Sequence, residues 1–441
     1  MEMMLHYVWQ HKTFPLKALK TTDGREVEVI SVGMHNTDAG PDFLNAKVKI
    51  DGVLWVGSVE IHTKSSDWYR HRHDSDAAYD SVILHVTGDA DMEVTCSNGV
   101  VPPQLVLPVP ESVRANYEAL CHSDCTPRCR EVIADIPRLM QHNWLTSLFV
   151  ERLELRTRQI MERRESCDKN WEDTMFVTIA RNFGFGINGE AFERWAHSIP
   201  MGAVAKHRND LFQVEAIFFG QAGLLEDSAI PSEYLAQSAA DDYLLRLRNE
   251  YEYMRKKFGF SPMDSSIWRF LRLRPQNFPH IRIAQLAMMY YEGKVGISAL
   301  MNAETLEGVY DLFDTHVSQY WRTHYTFAST TSPEIDKKLS NSSKELLVIN
   351  SVAPMLFAYG RYKSDEALEQ RAMNYFEQLR PENNRIIRDW QSAGIRCESA
   401  ADSQALIQLT KQYCMTHDCL RCRFGNEFIR RNPGFLKEEG E

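Results

Sequence analysis

The sequence has no long hydrophobic run, since no apolar stretch approaches the ~20 residues that a membrane-spanning helix requires. Residues 1–20 also lack the unbroken apolar segment of a secretory signal peptide. The nine cysteines fall mostly into two tight groups instead of the dispersed pattern of a disulfide framework. We therefore expect a cytoplasmic protein that has no membrane partner and keeps its thiols reduced.

Several common catalytic signatures are also missing. The chain contains no Gly-x-Ser-x-Gly nucleophile motif and no dinucleotide-binding fingerprint. The glycine-rich segment 184–189 follows a predicted helix and lacks the Lys-Ser/Thr pair of a phosphate loop, so we interpret it as a turn. An overall excess of positive charge is absent too, because the net charge is -10. A nucleic-acid partner is not excluded, because binding depends on where positive charge is concentrated.

What the sequence does contain is two regions of different pattern. Up to about residue 130, short β-branched or alternating runs separated by Gly and Pro turns predict strands near 26–32, 46–50, 53–61, 81–86 and 100–107. After Pro137, apolar residues recur every three or four positions, which predicts helices over 144–155, 173–183, 208–219, 233–257, 280–292, 344–359, 365–379 and 403–413. We predict an α+β protein with a mixed sheet and flanking helices in domain 1–130. An all-α domain over 131–441 follows, with a long loop or joint at 326–343.

The segment from His35 to Lys64 carries the clearest chemical pattern. Asp51-Gly52 lies between two β-prone runs and is a strong hairpin signal. Side chains alternate along a strand, so Glu60, His62 and Lys64 share one face of the second strand. Three ionisable groups are therefore expected on one surface of the sheet.

A metal site at this hairpin requires an irregular strand. With a two-residue turn, Asp42 falls opposite Ile61, one residue out of phase with Glu60. A bulge or an irregular Gly40-Pro41 entry would bring Asp42 toward Glu60 and His62. Two carboxylates and an imidazole would bind a hard dication such as Mg²⁺ or Mn²⁺. Such an ion can activate a water and stabilise charge on a phosphoryl oxygen.

The order of elements resembles the core of the PD-(D/E)XK nuclease superfamily. The series is a helix, a strand, a strand opening at Gly-Pro-Asp42, a strand carrying Glu60-Ile-His62, a helix and a strand over 82–86. The resemblance extends to about residue 110 and implies a restriction-endonuclease-like domain in which Asp42 and Glu60 hold the metal. It departs at His62, which occupies the usual lysine position, so His62 or Lys64 would take that role. The whole chain also resembles an uncharacterised bacterial family of unknown function, on its Gly-Pro-Asp-Phe, Glu-Ile-His and late cysteine motifs.

Histidines are concentrated in the same region, at positions 35, 62, 71, 73 and 85. His71 and His73 follow the Glu60 strand, where they could contact a phosphate or a metal; an exposed polar turn is the alternative. His85 lies in an apolar strand and is expected to be a core residue hydrogen-bonded to backbone.

Four cysteines near the C-terminus have the spacing of a metal site. Cys397 precedes the group Cys414-x₄-Cys419-x₂-Cys422, and four thiolates can hold Zn²⁺ or an iron–sulfur cluster. His417 is a substitute fourth ligand, and ordinary buried or free thiols are the alternative. The other group, Cys121, Cys125 and Cys129, lacks a Cys-x₂-Cys pair, and we expect free thiols there.

One segment is strongly basic, although the net charge of the whole chain is negative. Between residues 255 and 282 there are seven basic residues and one acid, interleaved with aromatics. Arginines and aromatics together could hold phosphates and stack on bases, although a solvated face over a helical core gives the same pattern. The residues expected to contact nucleic acid are Arg269, Arg272, Arg274 and Arg282, with His71 and His73 near the metal.

These observations give three functional hypotheses. The first is a nuclease that uses Mg²⁺ or Mn²⁺, with Asp42, Glu60, His62 and Lys64 as its catalytic residues. The second is a nucleic-acid-binding or scaffolding protein whose nuclease core is inactive. The third is a metal-dependent hydrolase of small phosphate esters.

Overall fold

The computed structural model describes residues 1–15 and 19–431. They form two compact units. The first comprises Met1–Trp144, Arg385–Arg396 and the segment from Leu406 onward, and the second comprises Leu145–Asn384 and Cys397–Ala405. The division differs from the one expected at residue 130, because C-terminal segments join the first unit. Local sequence patterns do not report such long-range packing.

The first unit is built on a seven-stranded mixed sheet, which confirms the predicted α+β class. Its strands are β1 (Leu19–Lys20), β2 (Glu26–Ser31), β3 (Met34–His35), β4 (Phe43–Ile50), β5 (Val53–Lys64), β6 (Val82–Asp89) and β7 (Gln104–Val106). The order is β1-β2-β4-β5-β6-β7, with β3 paired to β4. The β1, β2, β4 and β5 strands pair antiparallel, and β5, β6 and β7 pair parallel. The Thr22 N–H donates to the Gln104 carbonyl at 2.9 Å, so the sheet is nearly closed.

Helices α1 (Glu2–Gln10) and α2 (Asp67–Arg70) pack on the sheet, and further helices form the second unit. The next three along the chain are α3 (Glu111–His122), α4 (Arg130–Ile133) and α5 (Arg138–Ser166). Leu5 and Val8, one helical turn apart, are buried where α1 packs against β5 and β6. Within the described part of the chain, no helix combines the length and the apolar character needed to cross a bilayer.

The rest of the chain is helical, as the periodicity predicted. The helices are α6 (Trp171–Phe183), α7 (Gly189–Ser198), α8 (Met201–Val204), α9 (Leu211–Gln221), α10 (Leu235–Ser238), α11 (Asp242–Phe258), α12 (Pro279–Tyr291), α13 (Ile297–Asn302), α14 (Leu306–Leu312), α15 (Gln319–Thr323), α16 (Asn341–Leu347), α17 (Ala353–Lys363), α18 (Glu366–Gln378), α19 (Arg385–Ser392), α20 (Ala400–Leu409) and α21 (Arg423–Ile429).

Two predicted features of the helical region differ in detail. The helix expected over 233–257 is interrupted, because the Asp241 carboxylate accepts the Leu244 N–H and starts α11 as a new helix. The loop expected at 326–343 is present over 324–340, but it lies inside the second unit. The buried Lys337 ammonium donates to the carbonyls of Trp321 and His324, which fixes this loop.

Candidate functional site

A bulge in β4 places Asp42 opposite Glu60, the two acids that the sequence predicted as metal ligands. The β4–β5 hairpin starts in the expected register at the Asp51-Gly52 turn, and the register then shifts by one residue before Phe43. Phe43 pairs with Val59, so the preceding residue, Asp42, comes opposite Glu60. The irregularity that the sequence required is therefore present.

Hydrogen bonds lock this arrangement. The Asp42 N–H donates to Glu60 Oε2 at 3.1 Å, and Asp42 Oδ2 accepts from the Ile61 N–H at 2.9 Å. His6 of α1 also reaches the site, with its Nε2 3.5 Å from Asp42 Oδ2. His6 is not identifiable from the sequence pattern, because only the packing of α1 on β5 places it there.

Glu60 is a buried carboxyl in contact with imidazoles. Only 5% of the residue is exposed. Burial, followed by the Asp42 charge, raises the pKa of Glu60 to about 9. Its Oε1 lies 3.2 Å from His73 Nε2 and 3.6 Å from His62 Nε2. A buried carboxylate is costly unless a cation accompanies it, so this environment suits a bound cation.

Three histidines cluster beside Glu60. One ring nitrogen from each of His62, His71 and His73 lies within 4.8 Å of the other two, and His62 Nε2 is 3.2 Å from His71 Nδ1. His62 comes from β5, whereas the other two come from the turn after α2, which reverses at Arg72 (φ 64°). His73 is buried and His71 exposed, so this turn is only partly the exposed polar loop of the alternative interpretation.

A fourth histidine supports the cluster from the neighbouring strand. His85 Nε2 lies 3.0 Å from His62 Nδ1, so His85 contacts a side chain where a backbone partner was expected. Burial, together with nearby imidazoles, lowers the pKa of His62 to about 2 and that of His85 to about 4. Both rings are therefore neutral at physiological pH, the form in which histidine binds metals. A partner on the second ring nitrogen fixes the orientation of a ligating histidine.

The structure thus brings Asp42, Glu60 and His62 together, three of the four residues predicted to be catalytic. Lys64 is largely exposed, with its Nζ 3.8 Å from the carboxylate of Asp89 at the end of β6.

The cysteines assemble differently from the predicted set. Burial and the nearby Asp402 raise the pKa of Cys397 to about 12, and no other thiol of the described residues is among the groups that shift it. Burial raises the pKa of Cys129, and the next contributions come from the neighbouring thiols of Cys422, Cys414 and Cys419. Among residues 1–15 and 19–431, no group of three thiols has its sulfurs within 4.8 Å of one another.

The basic segment of the second unit separates into exposed and buried arginines. The three arginines at positions 269, 272 and 274 are exposed. Arg282 is 5% exposed, and its guanidinium donates to Asn277 and Gln285 and stacks on Phe185. Arg282 is therefore placed for a structural role. The adjacent Trp268 is also buried, with its indole N–H donating to a backbone carbonyl.

Fold and site together define an α+β protein with a partly buried cluster of histidines and carboxylates. Residues 2–385 match the model of a family described as "Protein of unknown function (DUF2851)". The chain belongs to this family, which confirms the expected likeness to a family of unknown function. Comparison with curated proteins and with solved structures gave no match. The candidate site lies inside the matched region, whereas Cys397 and the later cysteines lie beyond it.

Proposed function

We propose that the first unit is a metal-dependent phosphodiesterase that acts on nucleic acid. The order α1, β2, β4, β5, α2, β6, with antiparallel pairs followed by one parallel pair, is similar to the PD-(D/E)XK nuclease core. One acid stands at the start of β4 and the other within β5, as in that core. The observation that carries the proposal is that Glu60, paired with Asp42, contacts His62 and His73 of the three-histidine cluster.

Three histidines have ring nitrogens within 4.8 Å of one another, and the Glu60 carboxyl lies beside two of them, which is compatible with one shared ion. With metal–nitrogen bonds of ~2.0–2.1 Å, donors around a tetrahedral ion are ~3.4 Å apart. His62 Nε2 and His71 Nδ1 are 3.2 Å apart, and Glu60 Oε1 is 3.2 Å from His73 Nε2 and 3.6 Å from His62 Nε2. Imidazole ligands suit Zn²⁺ or Fe²⁺ better than Mg²⁺ or Mn²⁺, which prefer oxygen ligands. We therefore favour Zn²⁺ or Fe²⁺ in this site over the Mg²⁺ or Mn²⁺ that the carboxylate pair alone suggested.

Each residue has a distinct role in this proposal. The ion would supply Lewis acidity that activates a water and stabilises charge on a phosphoryl oxygen. Glu60, His62, His71 and His73 would hold it. Asp42, fixed by a backbone N–H and lying beside Glu60, adds the second carboxylate of the family pattern.

Two arginines beside the cluster could contact a phosphate substrate. Arg70 and Arg72 are exposed on the turn that carries His71 and His73, and Arg70 is paired with Asp67 at 2.9 Å. Guanidinium groups recognise phosphate through paired hydrogen bonds. A nucleic-acid backbone passing this turn would meet the arginines next to the ligand set.

The test compares wild type with Glu60→Gln on single-stranded DNA, double-stranded DNA and RNA, with Zn²⁺, Fe²⁺, Mn²⁺ or Mg²⁺ added. Glutamine can still accept the Asp42 N–H, so the hairpin is retained while the charge is lost. We expect a cleavage rate lower by ~100-fold or more, with reduced metal content by elemental analysis. Glu28→Gln is the control, because Glu28 is an exposed residue of the same sheet.

Cleavage by Glu60→Gln at the wild-type rate would refute the proposal. Salt-dependent binding without metal-dependent cleavage would select the inactive binding protein instead.

A second candidate function rests on the depth of the site. Glu60, His62 and His73 are 5%, 1% and 8% exposed, which suits a small phosphate ester better than a duplex. Rates on p-nitrophenyl phosphate and bis(p-nitrophenyl) phosphate, compared with rates on nucleic acids, separate the two. Turnover of the small esters alone would favour this candidate.

A further inference from the structure

Four thiols from distant parts of the chain meet in the first unit. Cys129, Cys419 and Cys422 are 5%, 7% and 5% exposed, and Cys414 is partly buried. The three C-terminal thiols are the main charged neighbours of Cys129, and Cys419 and Cys422 are those of Cys414. Each of these sulfurs is therefore an electrostatic neighbour of another one of the set, and Cys419 also has Cys121 as a neighbour.

The local backbone is shaped to present these sulfurs. Cys129 precedes α4 and Cys422 precedes α21, and these helices pack together. The Cys422 N–H donates to the Cys419 carbonyl at 3.3 Å, which closes a tight turn. A Cβ at Gly425 would lie 2.3 Å from that carbonyl oxygen, so glycine is required for α21 to approach the turn.

Two polar groups point to a ligand held by these sulfurs. Trp144 is 6% exposed, and its buried indole N–H makes no hydrogen bond of ordinary geometry within the described part of the chain. That N–H lies beside the Cys422 thiol. The Arg128 guanidinium lies 2.9 Å from His417 Nε2 and is a charged neighbour of Cys414 and Cys419. An indole N–H and a cation would both stabilise metal-bound thiolates.

We propose that Cys129, Cys414, Cys419 and Cys422 hold an iron–sulfur cluster in the first unit. Cys-x₄-Cys-x₂-Cys with a distant fourth cysteine is the spacing of plant-type ferredoxins. One Zn²⁺ with ~2.3 Å bonds needs sulfurs ~3.8 Å apart. No three thiols of the described chain come within even 4.8 Å of one another, and a cluster of several irons accommodates wider spacing.

This assignment replaces Cys397 with Cys129 in the ligand set. It does not depend on the proposed phosphodiesterase activity, since the two sets share no residue. The cluster would tie the start of α4 to the C-terminal segment and so stabilise the assembly of the first unit.

The test uses the full chain purified without oxygen. We expect a brown protein with iron and acid-labile sulfide in equal amounts and visible absorption that bleaches on reduction with dithionite. Cys129→Ser should lose most of the iron and the absorption. Cys397→Ser and Cys125→Ser are matched controls that should keep both.

Stoichiometric zinc without iron, or a colourless protein after anaerobic reconstitution with iron and sulfide, would overturn the proposal. Iron loss in Cys397→Ser with retention in Cys129→Ser would overturn the ligand assignment. If Cys129→Ser does not accumulate, Cys129→Asp keeps a ligand atom, and its electron paramagnetic resonance spectrum should differ from wild type. An identical spectrum would count against Cys129.

Discussion

The stability of the second unit should depend on pH through one buried carboxyl, Glu215. The residue is 2% exposed in α9, and it accepts hydrogen bonds from the Tyr243 hydroxyl at 2.6 Å and the Ser318 hydroxyl at 2.8 Å. Burial raises the pKa of Glu215 to about 7, and the two hydrogen bonds only partly oppose this rise. The folded protein therefore favours the protonated form.

The direction of the effect follows from linkage. Because the folded pKa exceeds the unfolded value of 4.5, the contribution to stability is complete below about pH 4.5 and is lost as pH rises through about 7. Each pH unit between the two values corresponds to about 1.4 kcal/mol. Ionising Glu215 in the folded state should therefore cost about 3 kcal/mol in total, of which about 2 to 3 kcal/mol falls between pH 5 and pH 8.

The perturbation is Glu215→Gln, which keeps an acceptor for the hydroxyl groups and cannot ionise. Equilibrium urea unfolding of the full chain at about pH 5 and about pH 8 gives the free energy of unfolding of each protein. Relative to wild type, the variant should gain about 2 to 3 kcal/mol between the two conditions. Glu307→Gln, at an exposed position of α14, is the control and should show no such gain. An equal difference between Glu215→Gln and wild type at both pH values would refute the reasoning.

Three further outcomes are expected. Gly220→Ala should destabilise the protein by about 3 kcal/mol, because its Cβ would lie 2.1 Å from the Tyr251 ring, whereas Gly202→Ala meets open space and should be nearly neutral in thermal unfolding. His85→Phe keeps a ring but removes the partner of His62 Nδ1, so metal affinity by isothermal titration should fall ~10–100-fold, and unchanged affinity would exclude a supporting role. Gly52→Val should cost about 1 to 2 kcal/mol, because Gly52 has φ 81° in the β4–β5 turn, and thermal unfolding that matches wild type would contradict this.

The sequence alone predicted the elements that depend on local physical chemistry. Alternation of apolar residues identified five of the seven strands, β2, β4, β5, β6 and β7, within a few residues, and three-four periodicity identified α5, α6, α9, α12 and α18. The Asp51-Gly52 turn fixed the hairpin register, and from that register the need for a bulge near Asp42 followed. The two short strands β1 and β3 and the helix α3 were missed, because short or weakly patterned segments carry little periodic signal.

The site itself was only partly predictable. Asp42, Glu60 and His62 share one strand pair, so strand geometry relates them directly. His6 enters from a helix packed across the sheet, and His85 enters from a strand paired in parallel, so neither can be assigned by counting along the hairpin. Tyr79, which stacks on His73 with ring centroids 3.7 Å apart, was missed for the same reason.

The arrangement of the cysteines was also only partly predictable from the sequence. The spacing of Cys414, Cys419 and Cys422 is visible in the sequence. That these three thiols are neighbours of Cys129 is not visible there, because it depends on how the C-terminal segment packs near α4. Local patterns determine helices, strands and turns because their interactions span a few residues. Only tertiary packing decides which distant side chains share a buried environment, and that environment sets the pKa values and ligand distances on which function depends.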